Sequence, residues 1–291
     1  MFELMAPAKV NWSLYVLDKR EDGYHNILSL MHCIGLYDTL TFEHSDTIEL
    51  ITNMNILPEH NLVYKAAKSL QSYAEIKDGA RIVLKKDIPS GAGLGGGSSD
   101  AAYALIGLNK LWGLGLDKDE LKEIGSSIGS DVPFFFNCPM AIVEGRGDIL
   151  TPLEMDISYP LLLVKPAIPI STVWAYERLG AKGKAQETKT ELTKTMDKFN
   201  NIQLIYKALK TGDVSLLKSS AHNDFEEVVM EKYPIIKDLR RKLLNAGASM
   251  AIMSGSGSTV FGLFEDREKA TNAARQFSSH WNRVVETYIS S

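Results

Sequence analysis

Five of the eleven residues in Pro89-Ser90-Gly91-Ala92-Gly93-Leu94-Gly95-Gly96-Gly97-Ser98-Ser99 are glycine, and an amphipathic pattern begins directly after them. Glycine admits positive φ and lets the backbone come close to a ligand. N–H groups that wrap an anion and then open a helix add the positive end of the helix dipole. The chemistry indicated is phosphate binding. A plain flexible turn is the bland alternative, and it explains neither the density of glycine nor the helix that follows.

The familiar phosphate loops do not fit. Gly91-x-Gly93-x-x-Gly96 matches the dinucleotide fingerprint formally, but the acidic residue expected about twenty positions on falls near Asp117, which reads as a helix cap. A Walker A loop ends in Gly-Lys-Ser/Thr, and this loop contains no lysine. The His-Arg-Asp and Asp-Phe-Gly segments of protein kinases are absent from the chain. The histidines His32, His44, His60, His222 and His280 show no metal-ligand spacing and read as structural or exposed. Cys33 and Cys138 are the only cysteines, far apart, so a disulfide framework or zinc knuckle is not expected and a reduced cytoplasmic setting fits best.

The elements around the loop follow from periodicity. Val10, Trp12, Leu14 and Val16 alternate as one face of a strand, which leads to a turn at Asp22-Gly23-Tyr24-His25-Asn26. Leu28–Leu36 and Thr39–Glu43 follow as extended segments, Asn61–Ala74 as a helix and Arg81–Lys86 as a strand feeding the loop. Ala101, Ala104, Leu105, Leu108, Leu111 and Trp112 mark the helix behind the loop, with Ser98 or Ser99 as its cap. Asp117 and Glu120 form a capping box for a helix that ends near Gly129, and Ser130-Asp131-Val132-Pro133 should leave it extended.

Beyond residue 150, Tyr159–Lys165, Met250–Met253 and Thr259–Phe264 read as strands. Asn201–Lys210, Val214–Lys218, Ile235–Asn245 and a final stretch from Glu268 to Trp281 read as helices. Gly180–Lys198 is polar, lacks an apolar period and is expected to be a mobile surface loop. Strands mix with helices without a regular βα repeat, which implies an α+β class.

The 291 residues carry 32 Lys and Arg against 36 Asp and Glu, a net charge of −4, with 45% hydrophobic residues. This is ordinary globular usage, enough to build a large core without disulfide staples. It excludes disorder and coiled coils, and it argues against broad nucleic-acid binding. The run Leu161-Leu162-Leu163-Val164 is too short to cross a bilayer, and the first residues show no secretory signal. A small-molecule ligand and no membrane or nucleic-acid partner are therefore expected.

Pro89–Ser99 resembles the phosphate loop of the GHMP kinases, a family of small-molecule kinases. Ala6-Pro7-Ala8-Lys9-Val10-Asn11, Asp22-Gly23-Tyr24-His25-Asn26 and Gly129-Ser130-Asp131-Val132-Pro133-Phe134-Phe135 are similar to segments of the branch whose alcohol carries a cytidine diphosphate. Ser254-Gly255-Ser256-Gly257-Ser258 resembles the family's C-terminal motif, so the resemblance spans residues 6 to about 262.

The resemblance implies a two-lobed α+β molecule, with a ribosomal-S5-like lobe over 1–155 and a ferredoxin-like lobe over 156–291. It implies transfer of phosphate from ATP, with Mg²⁺, to a cytidine diphosphate-linked sugar alcohol of the non-mevalonate isoprenoid route. Asp131 and Lys9 match its catalytic residues; alone, Asp131 would read as a turn residue and Lys9 as a solvated lysine on a strand edge. The loop residues Pro89–Ser99 take the ATP role. Asn11, Tyr24, His25, Thr172 and Tyr176 take substrate roles. Tyr24 and His25 read the base, Tyr176 (or Trp174) covers its other face, and Thr172 contacts the catalytic aspartate. Metal ligands are left unassigned, with Ser98 and Ser99 as equal candidates, and a monomer or weak homodimer is expected.

Three alternatives compete. A GHMP kinase for another alcohol would keep the loop and lose the Tyr24-His25 reader. A nicotinamide-dependent oxidoreductase would need a ribose-binding acid. A binding module with the fold alone would not need both Lys9 and Asp131.

Overall fold

The computed structural model describes residues 1–54, 56–136, 139–182 and 191–290. In chain order the strands are β1 (Phe2–Lys19), β2 (His25–Ser45), β3 (Ile48–Thr52), β4 (Gly79–Lys85), β5 (Met140–Gly145), β6 (Ile149–Leu153), β7 (Pro160–Lys165), β8 (His222–Asn223), β9 (Met250–Met253), β10 (Val260–Leu263) and β11 (Trp281–Glu286). The helices are α1 (Leu62–Tyr73), α2 (Gly96–Trp112), α3 (Lys118–Ile128), α4 (Thr172–Lys182), α5 (Glu191–Thr211), α6 (Val214–Ser220), α7 (Phe225–Lys232), α8 (Pro234–Asn245) and α9 (Arg267–Ala274). This is the α+β class expected. The chain folds as two compact units whose segments interleave along the sequence.

The first unit holds Met1–Lys9, Leu36–Ser90 and Gly95–Cys138. Here β4 runs antiparallel to β2, from Thr39 opposite Lys85 to Ser45 opposite Gly79, and β3 lies parallel on its other side. Leu40, Phe42, Ile82 and Leu84 are buried, and so are Val63, Ala66 and Leu70 of α1 and Ala101, Ala104, Leu105 and Leu108 of α2. Gly107 is required for this packing, since a Cβ there would sit 2.3 Å from the Phe42 ring. Asn61 caps α1 by accepting from the Val63 N–H, and the Asp117–Glu120 capping box of α3 is present as expected.

The second unit holds Val10–Gly35, Gly91–Leu94 and Pro139–Ser291. β2 pairs antiparallel with β5, β5 with β6, and β8 lies parallel to β1 at Ser13 and Leu14. A four-stranded antiparallel sheet in the order β11-β7-β10-β9 is backed by α8 and α9. Leu161 to Val164 are all fully buried because β7 is an interior strand covered on both faces, which explains the continuous apolar run. Trp12 anchors the unit, edge-on to Tyr159 and Phe261 at 6.0 and 5.4 Å.

Several local expectations are corrected. The cap of α2 is Gly95 in the left-handed region, and Ser98 and Ser99 lie within its first turn. Gly180–Lys182 closes α4 and 191–198 opens α5, while 183–190 lie outside the described residues. The apolar period places the start of this helix only at Asn201 because residues 195–200 are half-buried or exposed. Pro133–Phe136 forms a 3₁₀ turn, so the Asp131 segment curls instead of extending. Only Arg267–Ala274 of the final stretch is α-helical, followed by a 3₁₀ turn and then β11, with no Gly or Pro at the break to signal it. Leu28–Leu36 and Thr39–Glu43 join in β2, and α7 was not foreseen. Cys33 is disulfide-bonded, contrary to the reduced thiols expected; Cys138 lies outside the described residues.

His32 is fully buried in the second unit. Its Nδ1 accepts from Trp12 Nε1 at 3.1 Å, which leaves Nε2–H to donate to the Tyr288 carbonyl at 2.7 Å. Burial pushes its pKa down to about 4, partly offset by the Tyr288 bond. The unfolded chain binds this proton below about pH 6.5 and the folded chain resists it, so stability present above that pH is lost as pH falls toward 4. The loss is about 3 kcal/mol. Urea unfolding of wild type and His32→Gln between pH 7 and 4 checks this. The variant should lack that component, and parallel acid limbs would remove His32 as its source.

Candidate active site

In the first unit the sequence builds a buried cation beside a partly exposed carboxylate. β1 alternates, but both of its faces are covered: Lys9 is 3% exposed, not the solvated edge lysine of the bland reading. Its Nζ lies 3.5 Å from Asp131 Oδ2, and the Asp131 side chain is 31% exposed. Asp131 sits in a turn where Val132 N–H donates to the Gly129 carbonyl at 3.1 Å. Buried Pro133, Phe134, Phe135 and Phe136 pin the far side of this turn. Gly125 of α3 lets Val132 pack close, since a Cβ there would lie 2.8 Å from it.

The helix-opening half of the loop lies in the same unit. Gly95, at φ +70°, rests on the Lys9 side chain and the Phe135 ring, and a Cβ there would meet each at 2.9 Å. α2 starts with Ser99 N–H donating to the Gly95 carbonyl at 2.9 Å. The N–H groups of Gly96, Gly97 and Ser98 precede that first helical bond and are available to an anion at the positive helix end. Pro89 is half-buried and Ser90 exposed at the start of the loop. Buried Ser99 leaves its hydroxyl without a hydrogen-bond partner. Beneath the loop, Lys86 pairs with Asp38 and Asp100. Burial above all pushes the Asp100 carboxyl up to about 7, with Lys86 lowering it and Asp38 raising it.

In the second unit Gly91, Ala92, Gly93 and Leu94 meet the C-terminal glycine motif. Ser254 Oγ donates to the Gly93 carbonyl at 2.9 Å, and Thr259 N–H donates to the Ala92 carbonyl at 3.2 Å. Ser254 Oγ also lies 3.5 Å from Asn11 Oδ1, and Asn11 Nδ2 donates to Ser29 Oγ at 2.8 Å. Thr172, at the start of α4, has its hydroxyl 2.8 Å from that of Ser256.

The base-reading candidates also lie in this unit. Tyr176 stacks on His25 at 4.9 Å and 17°, and packs edge-on to Phe225. Trp174 instead packs against Tyr233 under the Lys232 ammonium. Tyr24 is 53% exposed, with the Arg146 guanidinium 5.8 Å over its ring. Partial burial, aided by Lys19, lowers the His25 pKa, so its imidazole is neutral at pH 7 with one donor and one acceptor.

Sequence reasoning missed Asp38, Lys86, Asp100, Asn223 and Glu226. Asn223 Nδ2 donates to the carbonyls of Met253 and Gly255 at 2.7 and 2.8 Å, and Glu226 accepts from Met253 N–H at 2.9 Å, so both clamp the C-terminal glycine motif. Their partners are distant in sequence and no local pattern announces them. Among the described residues no three His, Cys, Asp or Glu side chains group as a metal cage, and no helix is long and apolar enough to cross a membrane.

Residues 61–138 match the GHMP kinases N terminal domain and residues 205–283 the GHMP kinases C terminal domain. The chain is 53% identical to 4-diphosphocytidyl-2-C-methyl-D-erythritol kinase of Thermodesulfovibrio yellowstonii, covering 99% of both chains. It is 42% identical to the protein of the same name from Alkaliphilus oremlandii, over 98% of this chain and 96% of that one. A crystal structure of 4-(cytidine 5'-diphospho)-2C-methyl-D-erythritol kinase superposes with a TM-score of 0.81 at 31% identity, covering 98% of this chain and 99% of that one.

Proposed function

This chain belongs to the GHMP kinase family, within its 4-diphosphocytidyl-2-C-methyl-D-erythritol kinase branch, and we propose that it moves the γ-phosphate of ATP to the 2-hydroxyl of 4-diphosphocytidyl-2-C-methyl-D-erythritol in the non-mevalonate isoprenoid route. The observation that carries this reading is the Lys9–Asp131 pair with Gly95 seated on the lysine stem. Asp131 accepts the proton of the attacking hydroxyl as the phosphoryl group leaves ATP, and a loose transition state needs only modest base strength. Lys9, buried with its Nζ 3.5 Å from that carboxylate, orients it and offsets charge developing on the transferred phosphoryl. The amides of Gly91–Ser99 hold the nucleotide phosphates, which is why a chain of net negative charge can bind a polyanion.

Mg²⁺ would need few protein ligands here, since this ion is held through one or two protein oxygens together with the phosphates of its substrate. The orphaned Ser99 hydroxyl and its neighbour Ser98 fit as oxygen donors. When bound, the ion would supply positive charge that offsets the negative charge of the transferred phosphate. Asn11 and Thr172 position the alcohol, while Tyr24, His25 and Tyr176 read the cytosine. We assign the catalytic lobes to 1–155 and 156–291, and take the working form to be a monomer or weak homodimer in the cytoplasm.

ADP release tested against homoserine, mevalonate, simple sugar alcohols and the cytidylyl alcohol should single out the last; equal or greater turnover of another alcohol defeats the assignment. Tyr24→Ala should raise the KM for the cytidylyl alcohol about tenfold or more, since base stacking contributes about 1–3 kcal/mol. The ATP KM should hold. A matching rise in both constants would count against a base-reading Tyr24.

A further inference from the structure

The phosphate loop has two feet. Its leading foot is Lys86-Asp87-Ile88 at the end of β4, and its trailing foot is the first turn of α2 from Gly96 to Asp100. One buried cluster joins them. Asp38 of β2, fully buried, accepts through Oδ1 from the N–H groups of Asp87 and Ile88 at 2.6 and 2.9 Å. Its other oxygen pairs with Lys86 Nζ, which reaches Asp100 Oδ2 at 2.6 Å. The side chains are 0%, 9% and 3% exposed for Asp38, Lys86 and Asp100. The helix start is seated on the same foot: a Cβ at Gly96 would lie 2.8 Å from Ile88 and 3.2 Å from Lys86 Nζ.

A buried ion cluster is a costly way to gain stability, because desolvation offsets most of the attraction. It does fix geometry, since each partner left alone is a strongly penalised buried charge. Here the fixed quantity is the separation of the two ends of a glycine-rich segment that has few side chains of its own to hold it. Preorganised amides are worth more to an anion than amides that must be gathered at binding.

We propose that Asp38, Lys86 and Asp100 are positioning residues of the phosphate loop, holding its feet at the spacing that sets ATP affinity. The proposal rests on the reading of this loop as the ATP site. The cluster touches no reacting atom, so it acts on nucleotide binding and leaves the chemical step alone. Asn at position 100 can still accept from Lys86 through Oδ1, whereas Ala cannot.

The test compares wild type with Asp100→Ala and Asp100→Asn. Hydrogen exchange of the amides of residues 87–100 is read without nucleotide, and ATP binding is read by calorimetry alongside steady-state constants. Asp100→Ala should speed exchange at the loop feet, weaken ATP about tenfold and leave the KM of the alcohol and the kcat at saturating ATP within about twofold. Asp100→Asn should restore ATP affinity to within about threefold of wild type. Unchanged loop exchange in Asp100→Ala, or a lowered melting temperature with unchanged ATP affinity, overturns the proposal. If Asp100→Ala does not fold, failure of Asp100→Asn to keep wild-type loop exchange overturns it equally. Altered loop exchange in a protein whose wild type binds no ATP would keep the brace and sink the ATP reading instead.

Discussion

Asp131→Asn is expected to lower kcat by at least about a hundredfold, the low end of what a positioned general base contributes. The barrier would rise by about 2.7 kcal/mol. The amide keeps the volume and one acceptor oxygen but cannot take the hydroxyl proton, and it removes the carboxylate charge from beside the Lys9 side chain, which is 4% exposed. Two effects follow and can be separated. Loss of the base appears in kcat at saturating substrates; loss of the counter-ion appears in the melting temperature. The ATP KM should change little, since the loop amides are untouched. A folded variant that turns over at near wild-type rate would mean that Asp131 is not the base.

Gly93→Ala has the second large expected effect. Gly93 sits at φ +76°, and a Cβ there would lie 2.0 Å from the Ser254 carbonyl oxygen and 3.1 Å from that of Gly257. Both obstacles are backbone, so no side-chain rotation relieves them, and Asn223 holds the Met253 and Gly255 carbonyls that flank Ser254. The left-handed conformation adds about 1–2 kcal/mol for a residue with a Cβ. The loop must move, and kcat/KM for ATP should fall at least about a hundredfold. Gly91→Ala is the matched control: its φ is +59° but nothing lies within 4 Å of the new Cβ. It carries the conformational cost alone and should lose about tenfold or less. Similar losses in the two variants would show that backbone strain, and not the contact with Ser254, makes Gly93 necessary.

The secondary structure around the phosphate loop is legible in the sequence. A glycine run behind a strand and ahead of an amphipathic helix is a local pattern, and the structure places α2 where that pattern puts it. Lys9 was legible only through resemblance, because the burial that keeps it from being a solvated edge lysine comes from elements distant in sequence. Asp131 was placed correctly next to a helix end, yet its turn was misread. The rule that a residue before proline extends acts on Val132 alone, while three buried phenylalanines draw the segment into a 3₁₀ turn.

Other features had no local signature. Asp38 meets the backbone of residues 87 and 88 across 49 and 50 positions, and Asn223 reaches Met253 across 30. These are products of strand pairing and helix packing. Apolar periodicity finds α5 only from Asn201 on, because residues 195–200 are half-buried or exposed, and it runs on past a helix end such as that of α9, which no Gly or Pro marks. Position in the sequence does not distinguish Tyr176 from Trp174; their packing differs, Tyr176 meeting His25 and Trp174 meeting Tyr233.

The most direct test of the phosphotransfer assignment is phosphorus NMR of the product formed from ATP and 4-diphosphocytidyl-2-C-methyl-D-erythritol by the purified protein. The account predicts ADP and one new phosphomonoester attached at carbon 2, with the cytidine diphosphate resonances retained. Phosphate released to water, attached at another hydroxyl, or accompanied by cleavage of the diphosphate would contradict it.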